Sequence, residues 1–205
     1  MTTEKCKLEH VILDIDKTLI LSRMNIESEE IEDLKFRPYL KEFFIFLFEN
    51  FTTVNIWSAG GKEYVDEIVE HFKKMIGENS FGFVYCGQKC DFVLKPIERG
   101  VYSSEYCDEQ VKIKDLNVVF LEYNKLNKFN TMIIDDKKIT FHRNYGNAIH
   151  MREFNGNEDD VYLKKVAEKL YEIKSKSLNF RNWKNREVHW GQKVSEEFLK
   201  IWKKL

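Results

Sequence analysis

Cysteine is scarce, with four residues in 205 (Cys6, Cys86, Cys90, Cys107), which excludes a disulfide framework and fits a reducing compartment. An excess of charge of one sign is also missing: the formal net charge is -1, so nothing draws the whole chain toward nucleic acid or an acidic membrane surface. No apolar run is long enough to span a bilayer; the richest, Phe43–Phe48, is bracketed by Glu42 and Glu49. Met1–Lys7 is polar and has no signal-peptide core, which makes cytosol or nucleus the expected compartment. Internal repeats, a G-x-G-x-x-G fingerprint and a P-loop are absent, so the usual nucleotide signatures are excluded. What remains, 43% hydrophobic and 33% charged residues, is the composition of an ordinary globular chain long enough for one sizeable core plus an extension.

The most informative stretch is His10-Val11-Ile12-Leu13-Asp14-Ile15-Asp16-Lys17-Thr18-Leu19. A short Val/Ile/Leu run predicts a strand buried on both faces, as in a parallel sheet covered by helices. Asp14 then stands at its carboxyl end, the edge where open α/β sheets bind ligands. Residues two apart in an extended segment point the same way, so Asp14 and Asp16 can face one substrate atom. Two converging carboxylates repel unless a cation lies between them or one is protonated. The pair therefore asks for a metal ion, an acid/base role, or both.

Further along, Ser22–Asp33 is polar, with Ile26 and Ile31 as its apolar anchors, and predicts a loop or small hairpin. Arg37-Pro38 is expected to open a helix through Asn50, with Pro at its first position and Tyr39, Leu40, Phe43, Phe44, Leu47 and Phe48 on a core face. Thr52–Trp57 predicts a second strand ending in Ser58-Ala59-Gly60-Gly61, followed by a helix from Lys62 to about Ile76. Amides at such a turn are donors for a phosphate, and Ser58 adds a hydroxyl. Gly77–Val111 is expected to be an irregular insert with small strands at Phe81–Cys86 and Cys90–Leu94, and Val118–Tyr123 is open between strand and helix. Thr131–Ile134 predicts a third buried strand ending in Asp135-Asp136. Asn147–Met151 predicts a last one, and Asn157–Asp160 a cap and acidic first turn for a helix through about Ile173.

Cys86-Gly-Gln-Lys-Cys90 has a spacing compatible with zinc, with Cys107 and His71 as further ligands, but no second paired motif supports it, and small buried residues are the simpler expectation. After Ile173, nine Lys or Arg stand against three Glu, with Trp183, Trp190 and Trp202 interleaved. Val194, Phe198, Ile201, Trp202 and Leu205 share one face of a terminal helix. A helix packed on the domain is favoured there over a nucleic-acid or partner-docking tail. The expected division is a domain over 1–173 and a basic, aromatic helical extension over 174–205.

Three strand ends thus carry Asp-x-Asp-x-Thr, Ser, and Asp-Asp, with Lys114-Asp115-Leu116 between the last two. Together with Phe36-Arg37-Pro38-Tyr39-Leu40, this order resembles the haloacid dehalogenase superfamily of phosphohydrolases. It is closer still to the NLI-interacting-factor-like branch of small phosphatases acting on the C-terminal domain of RNA polymerase II. The resemblance covers roughly Lys7 to Ile173. It implies an α/β fold with a Rossmann-like, doubly wound parallel sheet flanked by helices, no large cap domain and a small β insert between motifs two and three. It implies a phosphomonoesterase in which Asp14 is the nucleophile that forms an aspartyl-phosphate and Asp16 the acid/base. Mg2+ would be held by Asp14, the backbone carbonyl of Asp16, Asp135 and Asp136. Ser58 and Lys114 would bind the phosphate, and Thr18 beside them would position the nucleophile loop. An uncapped site implies a phosphoprotein substrate such as the polymerase tail; no membrane partner is expected, since no apolar run is long enough to span one, and nucleic acid is a less favoured partner through the C-terminal extension. A polynucleotide end phosphatase and an inactive binding adaptor are the alternatives. Two positions depart from the family pattern: Lys17 stands where an acidic or polar residue is common, and Asp136 where Asn is common.

Overall fold

The structure is a computed structural model and describes residues 6–25, 31–94, 110–144, 146–189 and 191–205. Ile26, Cys107 and Trp190 lie outside the described residues.

Along β1 (His10–Leu13), Val11 and Leu13 join one apolar cluster while Ile12 joins another. Successive strand residues point to opposite faces, so the unbroken apolar run Val11-Ile12-Leu13 requires cover on both sides. The same alternation recurs in β4 (Thr53–Trp57), with Val54 and Ile56 opposed to Trp57, and in β8 (Thr131–Asp135), with Met132 and Ile134 opposed to Ile133. One face is covered by α1 (Leu40–Asn50), α2 (Lys62–Ile76) and α4 (Tyr162–Ser175). The other is covered by α3 (Leu116–Glu122) and the aromatic side chains of Phe83 and Tyr85. Each fully buried phenylalanine of α1 (Phe43, Phe44, Phe46) contributes about 1.5–3 kcal/mol relative to exposure.

The five strands run parallel in the order β5-β4-β1-β8-β9, with β5 at Val84–Tyr85 and β9 at Ala148–His150. From central β1 the chain builds outward through β4 and β5, then crosses to β8 and β9 on the other side. The direction of winding therefore reverses beside β1, and its carboxyl end opens into the crevice where such sheets bind ligands. Leu13 is in register with Ile56 and Ile134, which brings the three strand ends level. Two antiparallel hairpins flank this edge: β2 (Ile20–Met24) with β3 (Ile31–Phe36), and β6 (Asp91–Leu94) with β7 (Gln110–Ile113). The expected fold class holds, and among the described residues nothing larger than these hairpins stands as a cap. No helix of the described residues is long and apolar enough to cross a membrane.

Several local expectations give way to tertiary context. Pro38 does not open α1: a turn closed by Leu40 N–H to Arg37 O at 3.2 Å precedes the helix, with Tyr39 in the left-handed region at φ 68. Pro therefore occupies the second position of a turn, its other favoured place. The Phe81–Cys86 stretch is no insert, because Val84–Tyr85 is the edge strand of the main sheet; only β6–β7 answers to the small β insert. Residues 118–122 are helical, in α3, whose start is capped by Asp115 accepting from Asn117 N–H at 3.0 Å. Before α4, Asp160 accepts from Tyr162 N–H at 2.7 Å, but its carboxylate chiefly serves Arg37. Beyond α4 come α5 (Trp183–Arg186) and α6 (Glu196–Trp202). Phe198 and Trp202 are buried, with the Phe198 ring edge-on to Phe46 at 5.9 Å, while Trp183 is exposed.

Candidate active site

Asp14 follows β1 directly, and its N–H is held by Ile134 O at 3.0 Å, so the carboxylate is delivered to the sheet edge by a rigid element. Asp135 ends β8 and Asp136 follows it. Oxygens of Asp14, Asp135 and Asp136 lie within 4.8 Å of one another, the one such grouping of three or more His, Cys, Asp or Glu among the described residues. His71, Cys86 and Cys90 form none; Cys90 is buried and Cys86 half-buried. A pocket of hard carboxylate oxygens suits Mg2+ and not a soft-ligand ion.

Lys114, at the end of β7, enters this cluster from the insert. Its ammonium, 1% exposed, bonds to Asp135 Oδ2 at 2.7 Å and to Asp14 Oδ1. Its backbone is fixed by N–H to Thr140 O at 2.6 Å and by Asn144 Nδ2 donating to its carbonyl at 2.5 Å. Thr18 locks the first strand end to the third: its hydroxyl lies 3.0 Å from Asp14 Oδ2 and 3.2 Å from Asp136 Oδ1 and accepts from Asp136 N–H at 3.1 Å. Ser58, fully buried after β4, accepts from Gly60 N–H at 2.9 Å and lies 3.4 Å from Asp16 Oδ2.

Three carboxylates against one ammonium leave the cluster overcharged. Burial pushes the Asp14 carboxyl well above its ordinary value; Lys114 opposes this, while Asp135 and Asp136 push it further up. Burial and then Asp135 raise Asp136 as well. Burial works against the Lys114 ammonium, but Asp135 and Asp14 outweigh it, so its affinity for the proton rises and it stays charged. A divalent cation would neutralise the excess.

All seven residues singled out in the sequence therefore meet at one edge, but Asp16 stands apart from the metal-type cluster. Its carboxylate turns toward Ser22 of β2, Tyr64 of α2 and Ser58. Burial, and then the Asp16 charge, raise the Tyr64 phenol above its usual value, so it remains a donor. Tyr64 and Ser22 carry no motif, and the only sequence hint was a tyrosine in the first turn of the helix after the Ser58 turn. Arg37, expected only at the start of a helix, has a fully buried guanidinium that pairs with Asp160 at 2.9 and 3.1 Å. It also donates to the carbonyls of Thr18 at 2.9 Å and Arg152 at 3.0 Å, tying the first-motif turn to the loop before α4. Lys17 takes the left-handed turn position at φ 59 and pairs with Glu153 at the rim, while its carbonyl accepts from Phe154 N–H at 2.6 Å.

Residues 9–181 match the family model described as NLI interacting factor-like phosphatase. The Drosophila melanogaster ubiquitin-like domain-containing CTD phosphatase 1 is 28% identical over 187 residues, covering 85% of this chain. The chain spans about half of that relative, 53% of its length. The CTD phosphatase-like protein 355R of Invertebrate iridescent virus 3 is 24% identical over 198 residues, covering 83% of this chain and all of the viral one. Among solved structures, an uncharacterized protein from Listeria monocytogenes serotype 4b shares the fold with a TM-score of 0.54 at 16% identity, over 82% of this chain and 99% of the other.

Proposed function

The chain belongs to the NLI interacting factor-like phosphatase family, and from that premise we propose that it is a magnesium-dependent phosphatase acting on phosphoserine or phosphothreonine in a protein. The observation that carries this reading is the cluster of Asp14, Asp135 and Asp136 around the Lys114 ammonium, with Asp16 two residues on and outside it.

Asp14 is the nucleophile. As its carboxylate oxygen bonds to phosphorus, the bond from phosphorus to the leaving oxygen breaks, and Asp16 gives that oxygen a proton. Asp16, now ionised, takes a proton from a water whose oxygen attacks phosphorus, which frees phosphate and restores Asp14. An ammonium has three donors. Two of those on Lys114 meet carboxylates, and the third serves a phosphoryl oxygen, as does the Ser58 hydroxyl, stabilising charge where it develops. Thr18, with its hydroxyl engaged by Asp14 and Asp136, keeps nucleophile and fourth motif together. Asp14, Asp135, Asp136 and the backbone carbonyl of Asp16 would hold Mg2+, which supplies charge neutralisation and Lewis-acid assistance when bound.

The substrate class follows from openness: a site flanked only by hairpins among the described residues admits a phosphate carried on a macromolecule. The Drosophila relative is, by name, a CTD phosphatase, and the RNA polymerase II tail is the first phosphoprotein to test. The experiment measures phosphate release from phosphopeptides, 3′-phosphorylated oligonucleotides and sugar phosphates, with and without Mg2+. Mg2+-dependent release from phosphopeptides is expected. Preference for the oligonucleotide would support an end phosphatase, and no turnover at all a binding adaptor. Asp14→Asn abolishes turnover while the thermal midpoint shows a folded protein; appreciable residual activity would sink the nucleophile assignment.

A further inference from the structure

A carboxylate that must deliver a proton has two oxygens, and which of them carries the proton decides whether delivery succeeds. Around Asp16 the two oxygens are treated unequally. Oδ1 accepts from the Tyr64 hydroxyl and lies 3.2 Å from Ser22 Oγ, which is itself 2.8 Å from the Tyr64 oxygen. Tyr64 and Ser22 own one hydroxyl proton each. With the phenol proton given to Oδ1, that of Ser22 is shared between the phenol oxygen and the same Oδ1, whose lone pairs are then both engaged. Among the described residues, Oδ2 has only the long 3.4 Å approach of Ser58 Oγ. A proton on Asp16 is therefore confined to Oδ2, on the side of the serine assigned to the phosphate.

The fold builds this arrangement on purpose-made ground. A Cβ at Gly60 would lie 2.8 Å from Tyr64 Cδ1 and 3.2 Å from Ser58 Oγ, so only glycine lets the ring lie against the turn and reach Asp16. Ser22 comes from the β2–β3 hairpin and Tyr64 from the first turn of α2, so two separate elements hold one carboxylate in a single rotamer.

We propose that Tyr64, assisted by Ser22, is a positioning residue that occupies Asp16 Oδ1 and so reserves Oδ2 for proton transfer to the leaving oxygen. This rests on Asp16 acting as the acid. The phenol proton stays on Tyr64 throughout: Asp16 Oδ2 loses its proton as the bond between phosphorus and the leaving oxygen breaks, and regains one from the attacking water.

The test compares p-nitrophenyl phosphate, whose phenolate leaves without help, with phenyl phosphate, which is nearly the same size but needs protonation, under Mg2+. Tyr64→Phe keeps the ring packing and deletes the hydroxyl. Since general acid catalysis is worth about 10²–10⁴-fold, the variant should lose about ten- to a hundredfold in kcat on phenyl phosphate and stay within about threefold on p-nitrophenyl phosphate. Ser22→Ala should show the same leaving-group pattern with a smaller loss. In an Asp16→Asn background, adding Tyr64→Phe should change neither rate further, because the effect travels through Asp16. Equal losses on both substrates with an unchanged thermal midpoint, or a further loss in the Asp16→Asn background, would overturn the proposal. Wild-type turnover of neither substrate would instead sink the phosphatase reading, and this inference with it.

Discussion

Lys114 is the residue on which the charge balance of the metal-free site turns, and Lys114→Met is the substitution that measures it. Methionine fills similar volume and removes one buried charge, leaving Asp14, Asp135 and Asp136 facing one another. At an effective dielectric constant of about 20, unit charges 2.7 Å apart, the Lys114 to Asp135 distance, attract by about 6 kcal/mol. Much of that offsets the cost of burying the ammonium, so the expected net loss is that of breaking a buried pair, about 3–5 kcal/mol. With a urea m-value of about 2–3 kcal/mol/M, the unfolding midpoint should fall by about 1–2.5 M in EDTA. Saturating Mg2+ should recover more stability in Lys114→Met than in wild type, because the cation replaces the missing neutralisation and binds only the folded state. Adding Asp14→Asn to the variant should restore part of the loss by removing one of the stranded carboxylates. The assay is urea unfolding followed by far-UV circular dichroism, with and without Mg2+. A Lys114→Met protein as stable as wild type in EDTA would refute the charge-balance reasoning, whatever its activity.

The upward shifts of Asp14 and Asp136 set a pH dependence. A carboxyl whose folded value lies above its unfolded value contributes stability fully present below the unfolded value and lost as pH rises through the folded one. The metal-free protein should therefore lose stability from about pH 4 upward on account of these groups, and the thermal-midpoint gain on adding Mg2+ should grow with pH; a gain independent of pH would contradict this. Arg37→Met should cost about 3–5 kcal/mol in urea unfolding, because Asp160 is left nearly buried without its partner, and should lower turnover by loosening the Thr18 turn; a silent Arg37→Met would refute the latter. Phe198→Ala, which empties the contact of α6 with Phe46, should cost about 3–5 kcal/mol by the same measurement, whereas a loss below about 0.5 kcal/mol would mark α6 as a loosely held appendage.

Local rules were enough for the elements whose signals are local. The apolar run Val11-Ile12-Leu13 that leads into Asp14 reads as a doubly buried strand because side-chain alternation leaves no exposed face. The aromatic stripe from Leu40 to Phe48 reads as a helix because its period is that of one. The order of Asp14, Asp16, Ser58, Lys114 and Asp135 along the chain was likewise sufficient to name the family. Where competing conformations differ little in local energy, the sequence was silent or misleading. Pro38 suits a helix start or a turn, and the turn was chosen because it lets Arg37 reach Asp160 and the Thr18 carbonyl. Val84–Tyr85 is too short to declare itself a strand, and becomes one by pairing with the end of β4.

The amino-acid order by itself determined the parallel sheet, the strand ends that carry the carboxylates, and the kind of chemistry they can do, since each depends on periodicity or on neighbours within a few residues. Tertiary structure alone decided that Lys114 lies between Asp14 and Asp135, that Tyr64 and Ser22 claim one oxygen of Asp16, and that Glu153 engages the odd cation Lys17. Those partners are brought together by hydrogen bonds and ion pairs across distant segments, whose energies depend on distance and burial and leave no trace in local sequence.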